Sequence, residues 1–488
     1  MGIRLSASTL NSISTASRPA YDRQKITTGL LHLGIGGFHR AHQAVYTDKL
    51  LADGHQDWGI TGVSLRSSSV RDLLTPQDFL YSVNTLGEDA LPPQIIGSVL
   101  NTLAIRDSKQ LTATLDLFAH PATQVVSLTV TEKGYCATLN GDLDLGHPDI
   151  VQDLANPREP VSAPGLLAVG LERRMLAGAG PISILSCDNL AGNGRVTERV
   201  VKTMAALLNP ELATWIDDNL SFPSTMVDRI VPQTSARDID AFELTSGYRD
   251  AALISGEGFS QWVIEDNFRG KRPAWDIAGA QFVNQVAPFE QAKLRLLNAT
   301  HSALAYLGLL ADHTYVHEAL ADPAIGDFVR RLLNDEISPE VDCPEGMDIT
   351  DYKASLLKRF ANVAVPYKTL QVASDGSQKL PQRIFPTLSA RLNKQQPSPL
   401  LCAVVAAWIQ CLAGKSDSGA PISVSDPAAS EIAALAAKHL NASELIQAIA
   451  QQSTLFGALA NSSEFLQQLG DALANLRRKG ALATIGRR

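Results

Sequence analysis

Four polar side chains stand close together in the segment 288–302, PFEQAKLRLLNATHS: Glu290, Lys293, Asn298 and His301. On an α-helix turning about 100° per residue, with Lys293 at zero, Asn298 falls at about 140°, His301 at about 80° and Glu290 at about 60°. All four share one side of the helix, flanked by Leu296 and Leu297. A lysine, an amide, an imidazole and a carboxylate among leucines suit a reaction site; the alternative is a surface stripe whose lysine points into water. Lysine serves as a general base only when its pKa falls from about 10.4 towards neutrality, which burial and neighbouring cations bring about. An amide beside it can donate a hydrogen bond to a developing alkoxide. A second amide, Asn189, follows the apolar run 181–187 (PISILSC) within S-C-D-N. Ligands of an open α/β sheet bind at the carboxyl ends of its strands, although Asn is also common in turns and caps.

A different chemistry is written in residues 30–43, LLHLGIGGFHRAHQ. An apolar strand runs into Gly34, Gly36 and Gly37 and then, through Phe38, into a helix. Glycines here let the backbone bend sharply and approach a pyrophosphate, which the helix N-terminus then favours. The dinucleotide fingerprint has a third glycine where this chain has His39. Arg40 either adds a charge-assisted contact to phosphate or is a solvated helix residue. The second strand of such a fold usually ends in Asp or Glu, which holds the ribose hydroxyls. Here it ends in Ser64-Leu65-Arg66-Ser67-Ser68-Ser69. Serines suit the ribose and Arg66 suits a 2′-phosphate, so both NAD and NADP stand as candidate cofactors.

The elements that must position these groups follow from apolar patterning. Short apolar runs at 30–33, 58–65, 124–131 and 181–187 are separated by helical stretches. Runs of this kind read as a parallel sheet covered on both faces, a doubly wound α/β architecture. From about residue 288 helical periodicity dominates: 289–310, 429–450 and 463–478 read as helices, and 400–412 as a buried one. The reading is therefore an N-terminal Rossmann-type domain over 1–285 and a mostly α-helical domain over 286–488. Of the 488 residues 45% are hydrophobic and 19% charged, an ordinary globular mixture. Lys plus Arg number 42 against 50 Asp plus Glu, a net charge of -8. Bulk attraction to nucleic acid or anionic membrane is thus not expected, and an anionic substrate needs a local basic pocket. Five scattered cysteines without a C-x-x-C pair suit a reducing cytoplasm. No signal peptide is read at the N-terminus and no run is long enough to span a bilayer. No metal is expected: His313 and His317 are four apart, but nothing near them completes a ligand set, and they read as helix-surface residues.

Seven ordered segments carry a family resemblance: HLGIGGFHRAHQAVYTDKLL, SLTVTEKGYC, SCDNL, TMVDRIVP, QWVIEDNF, KLRLLNATHS and DGSQKLPQR, between residues 32 and 383. The chain resembles the long-chain mannitol dehydrogenase family (polyol-specific long-chain dehydrogenases), and within it most of all the fructuronate reductase (D-mannonate oxidoreductase) branch. The resemblance implies a Rossmann-type domain, a helical domain, an active site in the cleft between them, and metal-independent hydride transfer to a nicotinamide. It implies that Lys293 is the general base, that Asn189 and Asn298 cradle the substrate oxygen, and that His301 binds substrate. Asp228 would lie close to the lysine, and Glu290 would gate proton exit. Mannitol dehydrogenases tend to have Arg eight residues before the lysine of D-G-S-x-K; this chain, like the fructuronate reductase branch, has Gln371 there and keeps Lys379. Lys379 and Arg383 would then pair with a carboxylate. Two departures are Asn362-Val363, where many relatives have Asn-Pro, and 365–368 (VPYK), which differs from both branches. The implied partner is a small sugar acid or polyol, with the protein a monomer or small homo-oligomer.

Overall fold

The computed structural model describes residues 3–87, 91–138 and 140–486. Residues 1 and 2, within the stretch read for a signal peptide, lie outside the described residues. The chain divides into two compact units, Met1–Val286 and Ala287–Arg488.

In the first unit six strands form one sheet: β1 (Thr28–Leu33), β2 (Gly59–Ser64), β3 (Val99–Ala104), β4 (Val125–Leu128), β5 (Ile182–Ser186) and β6 (Leu220–Ser221). Their order is β3-β2-β1-β4-β5-β6, and every neighbouring pair is parallel. This is the doubly wound order of a dinucleotide-binding domain, in which the direction of winding reverses between β1 and β4. Apolar runs form these strands because both faces are buried. Leu31 and Leu33 of β1 pack with Phe118, Leu166 and Leu171 on one side. Leu30 packs with Leu50, Leu51 and Trp262 on the other. The covering helices include α1 (Gly37–Ala41), α2 (Gln43–Ala52), α3 (Ser69–Leu74), α4 (Ser108–Ala119), α5 (Pro148–Ala155), α6 (Ala163–Ala177) and α7 (Asn193–Leu208). Side-chain caps start several of them: Asp107 accepts from the amides of Lys109 and Gln110, and Ser162 from that of Gly165.

Small sheets not foreseen from the sequence complete this unit. β7 (Thr225–Asp228), β8 (Gln261–Glu265) and β9 (Gln281–Val283) form one, with β7 antiparallel to β8. Another joins Ile254–Glu257, Tyr81–Leu86 and Gln94–Ile96.

The second unit is helical. One continuous run comprises α8 (Ala287–Ala292), a π-helical turn (Lys293–Asn298) and α9 (Ala299–Leu310). Of α9 only Leu309 is not buried, which marks it as a central helix. Around it lie α10 (Thr369–Ala373), α11 (Gly376–Arg383), α12 (Pro399–Leu412) and α13 (Ala429–Lys438), with α14 (Ala442–Gln452) and α15 (Ser463–Lys479) further along the same core. The run 429–450, read as one helix, is two, because Asn441 caps α14 by accepting from the amides of Ser443 and Glu444. Replacing fully buried Leu304 by Ala is expected to cost ~2–5 kcal/mol. No helix among the described residues is long and apolar enough to cross a membrane. His313 lies in the turn before the helix Val316–Ala321 and pairs with Asp322 at 3.4 Å, so only His317 is on a helix.

Candidate active site

A cavity of about 450 Å³ opens at the carboxyl ends of β1, β2 and β4. Its floor is Gly34-Ile35-Gly36; one wall is Ser64, Leu65, Arg66, Ser67 and Val70, the other Thr129, Val130, Thr131, Lys133 and Gly134. Gly34 has φ +94°, and a Cβ there would stand 2.1 Å from the Thr129 carbonyl oxygen, so only glycine fits. A Cβ on Gly36 would meet nothing nearer than 3.8 Å, leaving its backbone open to a ligand. Gly37 begins α1, and Phe38 turns away to stack on the His42 ring at 5.1 Å.

The two departures of the glycine turn have physical accounts. His39, at the position of the third glycine, is buried and stacks on His32 of β1 with ring centroids 3.4 Å apart. The ring pair fills the space that close helix–strand packing closes in the usual fingerprint. Burial, with the neighbouring His32 and Arg40, holds the His39 imidazole well below its ordinary pKa. Arg40 does not face the cavity. It is buried, donates to the Ala252 carbonyl at 2.8 Å and lies over the Tyr81 ring, so the expected phosphate contact is corrected to a structural one. Arg66 does line the cavity, but its guanidinium holds Asp149 of α5, with Nη2 2.5 Å from Oδ2. Cys136, His147 and Asp149 bring potential ligand atoms within 4.8 Å of one another there. Burial pushes the Cys136 thiol up to about 12, and the cation already on this cluster is Arg66.

The cavity wall 129–134 is pinned by a residue that patterning missed. Asp188, just past β5, accepts from the amides of Val130 (3.0 Å) and Thr131 (2.9 Å) and from the Tyr135 hydroxyl (2.7 Å). Burial raises its carboxyl to about 6 in spite of these bonds. The next residue, Asn189, is exposed at the carboxyl end of the sheet. Asp228 is buried as the last residue of β7. Asn193 fastens the two segments: its Oδ1 accepts from the Thr225 amide, and its Nδ2 donates to the carbonyls of Asp188 and Thr225, each at 2.9 Å.

In the second unit the π-helical turn carries the polar stripe. Lys293, its first residue, is only 6% exposed. A π-helix closes hydrogen bonds from i to i+5 and turns less per residue than an α-helix, so the angles read for an unbroken α-helix do not hold here. Asn298, five residues on, swings back towards Lys293 in azimuth. Its Oδ1 is buried with no hydrogen-bond partner among the described residues. His301, one turn into α9, is buried between the rings of Phe360 (4.8 Å) and Tyr367 (5.1 Å). Glu290, in the first turn of α8, is half-buried. Arg383 donates to the hydroxyl of Ser302, beside His301, at 3.2 Å. Lys379 donates to the carbonyls of Ser374 (2.6 Å) and Val372 (3.4 Å) at the end of α10, while Gln371 is on the exposed side of that helix. Of the two rings, Tyr367 lies in the segment 365–368 that departs from both branches, whereas no pattern in the sequence points to Phe360.

Residues 28–277 match the mannitol dehydrogenase Rossmann domain and residues 285–477 the mannitol dehydrogenase C-terminal domain. The chain belongs to the mannitol dehydrogenase family. It is 41% identical to the oxidoreductase YeiQ of Escherichia coli (strain K12) over 467 residues, 95% of each chain. It is 39% identical to the D-mannonate oxidoreductase of the same organism over 470 residues, 95% of this chain and 96% of that one. The structure of Pseudomonas fluorescens mannitol 2-dehydrogenase, solved as a ternary complex with NAD and D-mannitol, superposes with a TM-score of 0.89 at 36% identity, covering 99% of both chains. Membership makes the chain an oxidoreductase of a family that acts on CH–OH groups, built on a Rossmann-type domain and a helical C-terminal domain.

Proposed function

We propose that this protein is an NAD-dependent dehydrogenase that interconverts a secondary alcohol and a ketone on an open-chain sugar acid, with D-mannonate and D-fructuronate as the favoured pair. The observation that carries the chemistry is a lysine 6% exposed at the start of a π-helical turn whose last residue is Asn298. π-Turns occur frequently at functional sites.

The cavity in the first unit fits a dinucleotide, because its glycine floor brings backbone within reach of a pyrophosphate and its serine wall offers hydroxyls to a ribose. When bound, NAD supplies a nicotinamide C4 that takes hydride from carbon. The backbone of Gly34, Gly36 and Gly37 would hold the pyrophosphate, with Ser64, Arg66 and Ser67 at the ribose. Lys293, as the uncharged amine, takes the proton of the substrate hydroxyl from a buried position. The Asn189 and Asn298 carboxamides donate to the oxygen as its charge grows. Lost donation from one of them is expected to cost about 3 kcal/mol, roughly a hundredfold in rate. His301, fixed between two rings, donates to a neighbouring hydroxyl of the chain. Asp228 sets the charge around the amine, and Glu290 carries its proton to solvent. In the reverse direction each group returns what it took.

The choice of a sugar acid rests on Arg383, which donates to Ser302, the residue after His301, and on Gln371 in place of arginine; Lys379 and Arg383 would receive the carboxylate. A neutral polyol is the second reading, favoured by the likeness to a structure solved with D-mannitol. A screen of hexonates and hexitols by NADH absorbance separates them: turnover of D-mannonate at least tenfold above D-mannitol supports the first reading, and the reverse order supports the second. Binding of NADH without turnover of any compound would make the protein a noncatalytic nucleotide binder. Asn298→Ala is expected to lower kcat about a hundredfold; near-normal kcat would remove its assigned role.

A further inference from the structure

In a Rossmann domain the carboxylate that receives the ribose hydroxyls stands at the end of the second strand, and its charge also repels a 2′-phosphate. Here β2 ends at Ser64, and the cavity wall beyond it is Leu65, Arg66 and Ser67. An arginine alone at this place would make a phosphate receptor. Arg66 is not alone: Nη2 and Nη1 reach Oδ2 and Oδ1 of Asp149 at 2.5 and 3.5 Å. The carboxylate comes from the first turn of α5, 83 residues downstream. The Arg66 side chain is 60% exposed and that of Asp149 18%, so the acid is the more buried member of the pair. Arg66 holds the Asp149 carboxyl below its ordinary range, with His147 and Arg106 adding to the effect. Lys133, on the opposite wall, is another cation of the cavity. Asp153, one turn further on α5, has its carboxylate turned to the amides of Val161 and Ser162.

We propose that Asp149 sets the phosphate preference of the cofactor: by holding Arg66 it withholds the counter-charge from a 2′-phosphate and leaves the Ser64 and Ser67 hydroxyls to an unmodified ribose. The inference rests on the dinucleotide reading of this cavity and goes beyond it by naming the discriminating pair. Asp149 acts through Arg66 and is a positioning residue.

The test is binding, read by calorimetry or nucleotide fluorescence on the full chain. NADH and NADPH are titrated into the wild type, Asp149→Asn, Arg66→Ala and the double variant, with 5′-AMP and 2′,5′-ADP as fragments that report this end of the cavity alone. The wild type is expected to bind NADH at least tenfold tighter than NADPH. Asp149→Asn, close in shape, is expected to shrink that ratio at least tenfold, chiefly by tightening NADPH and 2′,5′-ADP. The double variant is expected to lose the gain. Arg66→Ala alone, which leaves Asp149 uncompensated, is expected to widen the ratio, and this arm stands if Asp149→Asn does not fold. A ratio unchanged within twofold in Asp149→Asn overturns the proposal. So does a gain that persists in the double variant, which would assign the 2′-phosphate to Lys133 or Arg106. If the wild type binds neither NADH nor NADPH, the dinucleotide reading falls and takes this inference with it. Binding of NADH without any effect of Asp149 sinks the inference alone.

Discussion

Replacing Asp188 by Asn should separate two effects that one carboxylate combines. As an ion, Asp188 organises the cavity wall by accepting from two amides and a phenol. Its burial opposes that ion and raises its pKa from 3.8 to about 6. The sign follows from linkage: a carboxyl whose folded pKa lies above its unfolded value contributes stability below pH 3.8 and loses it as pH rises through 6. The full effect of that rise in pKa is about 3 kcal/mol, of which about 2 kcal/mol falls between pH 4.5 and 7.5. Asp188→Asn removes this titration. Urea denaturation of both proteins across that range should therefore show the wild type losing about 2 kcal/mol relative to the variant as pH rises. At pH 7.5 the variant should nonetheless bind NADH several-fold more weakly, because an amide cannot accept from both backbone N–H groups and turns a donor towards one of them. Parallel pH profiles would refute the burial argument. Unchanged NADH affinity would refute the assignment of Asp188 to the wall.

Two further outcomes follow from single contacts. Asn193→Ala leaves the buried Thr225 amide and two carbonyls without their partner; the expected cost is about 2–3 kcal/mol in thermal or chemical denaturation, with kcat/KM falling as well because the segments bearing Asn189 and Asp228 are unfastened. Arg383→Ala should raise KM for a sugar acid roughly 30- to 100-fold, as expected for a lost charge-assisted pair, and change KM for a neutral hexitol no more than threefold; equal effects on both would remove Arg383 as the carboxylate receptor.

The sheet was legible because strands buried on both faces are written as continuous apolar runs, as in 182–186 and 125–128. The glycine turn was legible for a related reason: positive φ and close approach at Gly34 leave no other residue type. Arg40 was not legible, since what removes it from the cavity, the Ala252 carbonyl and the Tyr81 ring, arrives from distant segments. The same holds for Asp149 on Arg66 and for Phe360 and Tyr367 on His301. A π-turn inside a helix changes the register by one residue and leaves the apolar pattern almost intact. The stripe from Glu290 to His301 could thus be seen as a stripe, but its angles could not be computed as though it were all α. His39 departs from the glycine fingerprint, yet His32 seven residues earlier is the ring that accommodates it. That pairing is visible only once strand and helix are packed.

The central claim is that the amine of Lys293 takes the proton, and Lys293→Ala with added primary amines tests it most directly. With the variant shown to be folded by its thermal transition, steady-state NADH formation is measured on the preferred substrate with and without methylamine or ethylamine. The account predicts a fall in kcat of at least a thousandfold, within the range for loss of a general base, and partial recovery that rises with the concentration of free amine. Near-normal turnover, or a loss that free amine does not touch, would contradict it.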